Sequence, residues 1–411
     1  MTTASALSLR RTPIVALLAA DGISRAGNAI TVVAVPLIAL QISNTPLAIA
    51  AAGIAATLPM VIGGAVGGVV VDRLGFRRAS IIADAASGIT VLAVPLLAAA
   101  DALSLGALLT LVFLSNLLDA PGSAARASQI PELSAMAGMP LPRAAAVQAT
   151  VARSATMVGA GAAGLLVALT GPAPTMLVDA ATFGAAIALT LAFVPHVALP
   201  GGDRADAEQD RGLGWRALTA GMRFILRTPL AYAMIAMVVV TNAIDTAGLT
   251  VLQPLYAQSL GHGGAELGVM IACFSGGALA GAALYGIVGD RLPRHGLLIV
   301  LFLLAGPPPY LVLMFAPPFA VVAVVLALAG LAAGPLNPMI DAALYRLIPA
   351  GIRARVLGAL TAGVTAAMPL GSFLAGAGVD ALGLTAALGS AAALYLVTIV
   401  SSGFGRRWRG F

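Results

Sequence analysis

Apolar residues cover every face of the chain for stretches of 20 or more, and polar residues come mainly in short bursts between them. A helix crossing a bilayer needs about 20 such residues, whereas a membrane β-strand would alternate apolar and polar over about ten. Segment 319–336 is apolar throughout, so the spans read as helices. Cutting at charged, Pro-rich and Gly-rich breaks predicts spans near 13–40, 46–71, 79–100, 104–125, 146–170 and 174–194. A second set is predicted near 229–257, 265–289, 296–316, 319–345, 353–378 and 383–404. Between the sets lies a polar segment, 195–228, with GGDRADAEQDRG and then an amphipathic stretch around Trp215, Met222 and Phe224. The expected organisation is a helical bundle over 1–194, a linker over 195–228 and a second bundle over 229–411. Arg10 and Arg11 precede an apolar run too long for the core of a signal peptide, so that run is read as the first span.

Composition narrows the classes. With 60% hydrophobic and 9% charged residues, the 411-residue chain leaves no room for a soluble catalytic domain. Its formal charge of +6 comes from 22 basic residues, all arginine. That charge does not imply nucleic-acid binding, because cytoplasmic loops of polytopic membrane proteins are enriched in basic residues. With the N-terminus in the cytoplasm, Arg73, Arg77, Arg78, Arg126, Arg143, Arg291, Arg294, Arg346, Arg353, Arg355, Arg406, Arg407 and Arg409 all fall on that side. The external loops then hold only Asp101, His262, Glu266 and Asp380, which also puts the linker and C-terminus in the cytoplasm. Cys273 is the single cysteine, so no disulfide forms within the chain. His196, His262 and His295 lack ligand spacing, and no metal site is expected. No phosphate-binding loop is present, so neither ATP nor any other cofactor is expected, and the chain does not read as an enzyme.

An internal repeat appears at a constant offset of 218 residues. Pro36, Leu37 and Ala39 recur as Pro254, Leu255 and Ala257; Gly63, Gly68, Asp72, Arg73 and Leu74 recur as Gly281, Gly286, Asp290, Arg291 and Leu292; Ile130 and Pro131 recur as Ile348 and Pro349. Three separated matches in one register imply two six-helix halves with the same membrane orientation, a parallel repeat.

Charged residues inside spans cost about 2.5–3.5 kcal/mol at a helix centre on insertion scales, which makes them functional candidates. Asp21, Arg25 and Asn28 follow an i, i+4, i+7 spacing and share one helix face. Asp21 and Arg25 either neutralise each other structurally or serve coupling and substrate binding. The seventh span carries Asn242, Asp245 and Gln253, with Thr246 and Thr250 nearby and no basic neighbour. Desolvation there favours the neutral carboxyl, a property suited to carrying a proton, unless Arg25 or Arg153 supplies a partner. A packed, hydrogen-bonded aspartate is the structural alternative. Asn116 and Arg153 are candidates for lining a cavity or for joining helices. Asp84, Asp119 and Asp341 fall near the ends of their spans beside arginine-rich loops and read as ion-pair partners there. Asp179 reads as a carboxylate near the start of its helix, where the dipole favours it.

The segment GGVVVDRLGFRRAS, with Gly68, Asp72, Arg73, Gly75, Arg77 and Arg78, resembles the signature loop of the major facilitator superfamily. Its glycines allow close helix approach, and its charges can bridge adjacent helix ends as a latch. The second half keeps Asp290 and Arg291 but has Pro293 and His295 in place of Gly75 and Arg77, a weaker latch. ASIIADAASG, SAARASQIPEL and AAMPLGSFLAG further resemble the drug:proton antiporter branch that includes macrolide-efflux-type and mycobacterial multidrug pumps. In the fifth span VGAGAAG stands where exporters usually carry a Gly-Pro-x-x-Gly element.

The resemblance implies an all-α membrane protein of twelve transmembrane helices in two pseudo-symmetric six-helix bundles, with a central cavity between helices 1, 4, 7 and 10. It implies export of hydrophobic or amphipathic small molecules by alternating access, in exchange for protons, by a monomer in the cell membrane. The partners are the substrate, protons and the lipid bilayer, with no nucleic acid. A dedicated exporter of a siderophore or other secondary metabolite, and a solute uptake carrier, are the alternatives. With 5% aromatic residues and spans rich in Ala, Gly, Leu and Val, the cavity is expected to be smooth and apolar.

Overall fold

Lipid offers backbone polar groups no partner, so each span must satisfy its own N–H and C=O groups, and helices do so segment by segment. The computed structural model describes residues 2–43, 45–195, 222–261, 264–288, 294–348 and 352–403. In chain order the main helices are α1 (Thr2–Ser43), α2 (Pro46–Leu74), α3 (Phe76–Ala99), α4 (Leu105–Met136), α5 (Leu141–Thr170) and α6 (Pro172–Phe193). After the linker come α7 (Pro229–Ala247), a π-turn (Gly248–Leu252), α8 (Gln253–Ser259), α9 (Gly264–Val288), α10 (Arg294–Ala305), α11 (Pro307–Phe315), α12 (Phe319–Ala333), α13 (Leu336–Leu347), α14 (Arg353–Leu382) and α15 (Leu384–Gly403). Among the described residues, eleven helical stretches are long and apolar enough to cross a membrane, and Pro46–Pro59 within α2 is a shorter apolar one.

Local chemistry sets the breaks. Thr45 caps α2, its Oγ1 accepting from Ala48 N–H at 3.3 Å, and Ser104 caps α4 in the same way through Ala107 at 3.2 Å. The π-turn sits just ahead of Pro254, whose missing N–H interrupts the regular ladder. The signature segment is almost entirely helical: α2 runs through Asp72 and Arg73 to Leu74, and Gly75 alone joins it to α3 with φ 77°. That left-handed backbone is one that glycine adopts freely.

Several boundaries differ from those expected. The fourth helix does not stop at 125 but continues to Met136, so Arg126, assigned by the arginine pattern to a cytoplasmic loop, lies within α4. The fifth begins at Leu141 rather than 146. Spans 296–316 and 319–345 are each divided, at Gly306 before Pro307 and at Gly334–Pro335, where proline cannot continue the preceding hydrogen-bond ladder. Asp179 does not begin its helix; it lies two turns inside α6 and is fully buried.

Contacts gather the chain into two units: Met1–Ala198 with Gln253–Ser275, and Leu199–Leu252 with Gly276–Phe411. In the first, α1 packs along α4, α5 and α6, while α3 packs on α4 and α6. A dry layer of Ile14, Leu17, Leu18, Ile130, Leu133, Ala144 and Val194 ties α1, α4 and α5 to the end of α6. The fifth-span glycines serve close packing, since a Cβ on Gly164 would come within 2.9 Å of the Gly268 Cα. In the second unit, α7 packs on α14 and α15, and α11 on α12 and α15.

Candidate functional site

A buried charge cluster occupies the first unit. Arg126 is 1% exposed and reaches three carboxylates: Nη1 donates to Asp84 at 2.7 Å, Nε to Asp21 at 3.2 Å and Nη2 to Asp119 at 3.5 Å. Three helices therefore meet on one guanidinium, with Asp21 from α1, Asp84 from α3 and Asp119 from α4 itself. Gly122, one turn before Arg126, brings α4 close to α3; a Cβ there would meet that of Ala83 at 2.8 Å. Arg25 Nε donates to the other oxygen of Asp21 at 2.9 Å, and Asn28 Nδ2 donates to Asp119 at 3.2 Å. The i, i+4, i+7 face of α1 thus opens onto the cluster as its spacing implied. The dry layer lies just beyond it, one to two turns before Asp21 on α1 and one to two turns after Arg126 on α4.

The cluster corrects the roles read for Asp84 and Asp119. They pair with Arg126 inside the bundle, and Asp341 is exposed with no ion pair among the described residues. Of the signature residues, Arg77 donates from Nη2 to the Leu191 carbonyl at 2.8 Å, in the last turn of α6, where free carbonyls collect. Arg78 is exposed. The surroundings of Gly68, Asp72 and Arg73, and Asp290 and Arg291 altogether, lie outside the described residues.

Asp245 has neutral hydroxyls beside it, those of Tyr395 and Tyr310, as its span implied. The Tyr395 hydroxyl of α15 donates to its Oδ2 at 3.4 Å. Tyr310 stands beside Tyr395, ring centroids 6.4 Å apart, and donates to the Ile244 carbonyl at 2.9 Å. Asp245 has no ion pair among the described residues. Asn116 and Asn242 each donate to a carbonyl of their own helix, Val112 and Val238, and Arg153 is half-buried without an ion pair among the described residues.

Sequence reasoning missed Arg126, Tyr310 and Tyr395 as site residues. Asp119, Gly122 and Arg126 follow an i, i+3, i+7 spacing that a longer α4 would have revealed as one face. No group of three or more His, Cys, Asp or Glu among the described residues is arranged to hold a metal; the three clustered carboxylates converge on a guanidinium.

The model for the transmembrane secretion effector family matches residues 3–406, and the chain belongs to that family, within the major facilitator superfamily. The multidrug efflux pump Tap of Mycolicibacterium fortuitum is 31% identical over 380 residues, covering 92% of this chain and 91% of the relative. Tap of Mycobacterium tuberculosis (strain ATCC 25618 / H37Rv) is 32% identical over 382 residues, covering 92% and 89%. Among solved structures, the nucleoside transporter NupG (D323A mutant) superposes with a TM-score of 0.76 at 13% identity, covering 95% of this chain and 98% of that one. A bacterial homologue of the human lysosomal transporter Spinster, inward-facing and unoccupied, gives 0.65 at 14% identity, covering 95% and 94%. These likenesses establish the major facilitator fold.

Proposed function

We propose that this member of the transmembrane secretion effector family is a multidrug exporter of amphipathic small molecules that works by alternating access in exchange for protons. The export direction and the loose substrate class are supported by the Tap relatives, which match along about nine tenths of both chains.

Proton exchange rests on one observation, the buried Arg126 with its three carboxylates. Two guanidiniums, Arg25 and Arg126, face Asp21, Asp84 and Asp119, so the fully ionised set carries one excess negative charge. Arg126, Asp21 and Asp84 are sealed from water, and the set is neutral when it holds one proton. Adding or removing that proton changes which carboxylate Arg126 grips, and hence how firmly α1, α3 and α4 are tied together. A charge event thereby becomes a helix-packing event, as a switching mechanism requires.

Asp245, without an ion pair among the described residues, is proposed as a carboxyl that takes up a proton or a cationic part of the substrate. A proton and a cation would exclude each other there. Asn28, Asn116, Asn242 and Arg153 are proposed to shape the substrate environment. Asp72, Arg73, Arg77, Arg78, Asp290 and Arg291 are proposed to form the cytoplasmic latch. The arginine distribution supports cytoplasmic termini, and a single chain is taken as the working unit.

The test is purified protein in proteoliposomes, with ethidium as the transported cation. Uphill ethidium movement driven by a pH gradient, collapsing when the gradient is dissipated, is the expected result. Movement that ignores the pH gradient removes the antiport reading.

A further inference from the structure

A second carboxyl in the first unit is unused by the cluster. Asp179 is fully buried in α6 and has no ion pair among the described residues. Hydroxyls surround it: Thr31 of α1 donates to its Oδ2, and Thr182, which donates to the Asp179 backbone carbonyl at 2.7 Å, lies 3.4 Å from its Oδ1. Gly27 makes the close approach possible, since a Cβ there would collide with Asp179 Oδ1 and Thr182 Oγ1. An asparagine could meet the two hydroxyls with its oxygen accepting from one and its NH2 donating to the other, without the cost of a charged residue within a span, so bonding alone does not call for an acid here.

The surroundings of Asp179 connect it to the cluster. Thr31 lies one turn beyond Asn28 on α1, and residues so spaced are about 5–6 Å apart at Cβ. Asn28 donates to Asp119, so adjacent turns of α1 hold the Asp179 and Asp119 carboxyls. Other charged groups on the helices packed against α6 are engaged elsewhere or unpaired with Asp179. On α1, Arg25 binds Asp21; on α3, Asp84 binds Arg126, Arg77 binds Leu191 and Arg78 is exposed; on α5, Arg143 and Arg153 form no ion pair among the described residues. Along α1 the dry layer precedes the cluster and Thr31 follows it, about 15 Å beyond Asp21 at 1.5 Å per residue. Asp179 therefore stands on the side of the cluster away from the apolar seal.

We infer that Asp179 is a proton-carrying residue of the transport cycle, exchanging its proton with Asp119 of the Arg126 cluster through the Thr31 turn of α1. The proton lost by the Asp179 carboxyl is the one gained by the Asp119 carboxylate, and the reverse transfer resets the pair. This role rests on the proton-exchange reading and adds to it a route leading away from the sealed end.

The experiment compares two activities of ethidium-loaded proteoliposomes: uphill transport driven by a pH gradient, and counterflow at equal pH, which needs binding and cycling but no net proton movement. Asp179→Asn is expected to lose at least tenfold in uphill transport while counterflow stays within twofold. Thr31→Val, which keeps the acid but removes the bridging hydroxyl, should lose uphill transport in the same selective way, and Thr31→Ser should restore it. Uphill transport by Asp179→Asn within twofold of the unmutated protein overturns the inference, as does an equal fall in both activities at normal folded yield. If Asp179→Asn fails to fold, the Thr31→Val and Thr31→Ser pair decides, and full uphill transport by Thr31→Val overturns it. A lack of pH-driven transport by the unmutated protein would instead be the failure of the proton-exchange reading itself.

Discussion

Arg126 donates to Asp84 at 2.7 Å with both side chains 1% exposed, which makes this contact between α4 and α3 an ion pair sealed from water. Removing one partner from such a pair costs about 3–5 kcal/mol, because the other charge is left buried and uncompensated. Arg126→Ala leaves the buried Asp84 without its cation and leaves Asp21 and Asp119 to Arg25 and Asn28 alone, so its folded yield and thermal stability in detergent should fall sharply. Arg126→Lys should recover only part of the loss, since an ammonium lacks the planar fork that serves three acceptors. Near-normal stability of Arg126→Ala would contradict the geometry described.

Asp21 and Asp245 should respond differently to the same substitution. Asp21 bonds both Arg25 and Arg126, so Asp21→Asn should lower folded yield as well as pH-driven flux. Asp245 has neutral hydroxyl neighbours and no ion pair among the described residues, so Asp245→Asn should leave yield within the normal range while uphill ethidium flux falls at least tenfold. Flux and size-exclusion yield measured on both variants check the contrast; fully coupled transport by Asp245→Asn would take that residue out of the cycle.

Topology can be checked at the linker. In a Cys273→Ala background, a cysteine placed by Gly202→Cys should resist a membrane-impermeant thiol reagent in intact cells and react after permeabilisation. Reaction from outside with the membrane intact would refute cytoplasmic termini.

Asp72 lies in the last turn of α2, three residues before the Gly75 joint. Asp72→Ala should cut transport several-fold with membrane insertion unchanged, because the change falls at a helix end rather than mid-span. Unaltered transport would remove the latch assignment.

How much of this was legible beforehand depends on the range of the interaction. The face shared by Asp21, Arg25 and Asn28 follows from helical spacing within one span, and the structure turns that face onto a single cluster. Arg126 was misread because an arginine beside Pro121, Gly122 and Pro131 looks like the end of a span, and charge counting by loops assigns every such arginine to water. Yet Asp21, Asp84, Asp119 and Asp179 outnumber Arg25 and Arg153 in the first-half spans, an imbalance that asks for another cation inside. Asp179 was hidden by its dependence on Gly27, an absent side chain on another helix. Tyr395, 150 residues from Asp245, meets it only through packing that no local pattern encodes.

The dry layer below Arg126 also bears on energy conservation in the cell. Ile14, Leu17 and Leu133 are each at most 1% exposed, and the buried polar side chains beside them on α4, Gln129 and Ser134, donate to the backbone carbonyls of Ala125 and Pro131. An exchanger that lets ions cross without cargo short-circuits the membrane gradient on which the whole cell draws. Thinning this layer, for example by Leu17→Ala with Leu133→Ala, should turn a coupled pump into a passive leak that acidifies the cytoplasm with no substrate present. On the proton-exchange reading, the large aliphatic residues at these positions would act as insulation, protecting the host from its own transporter.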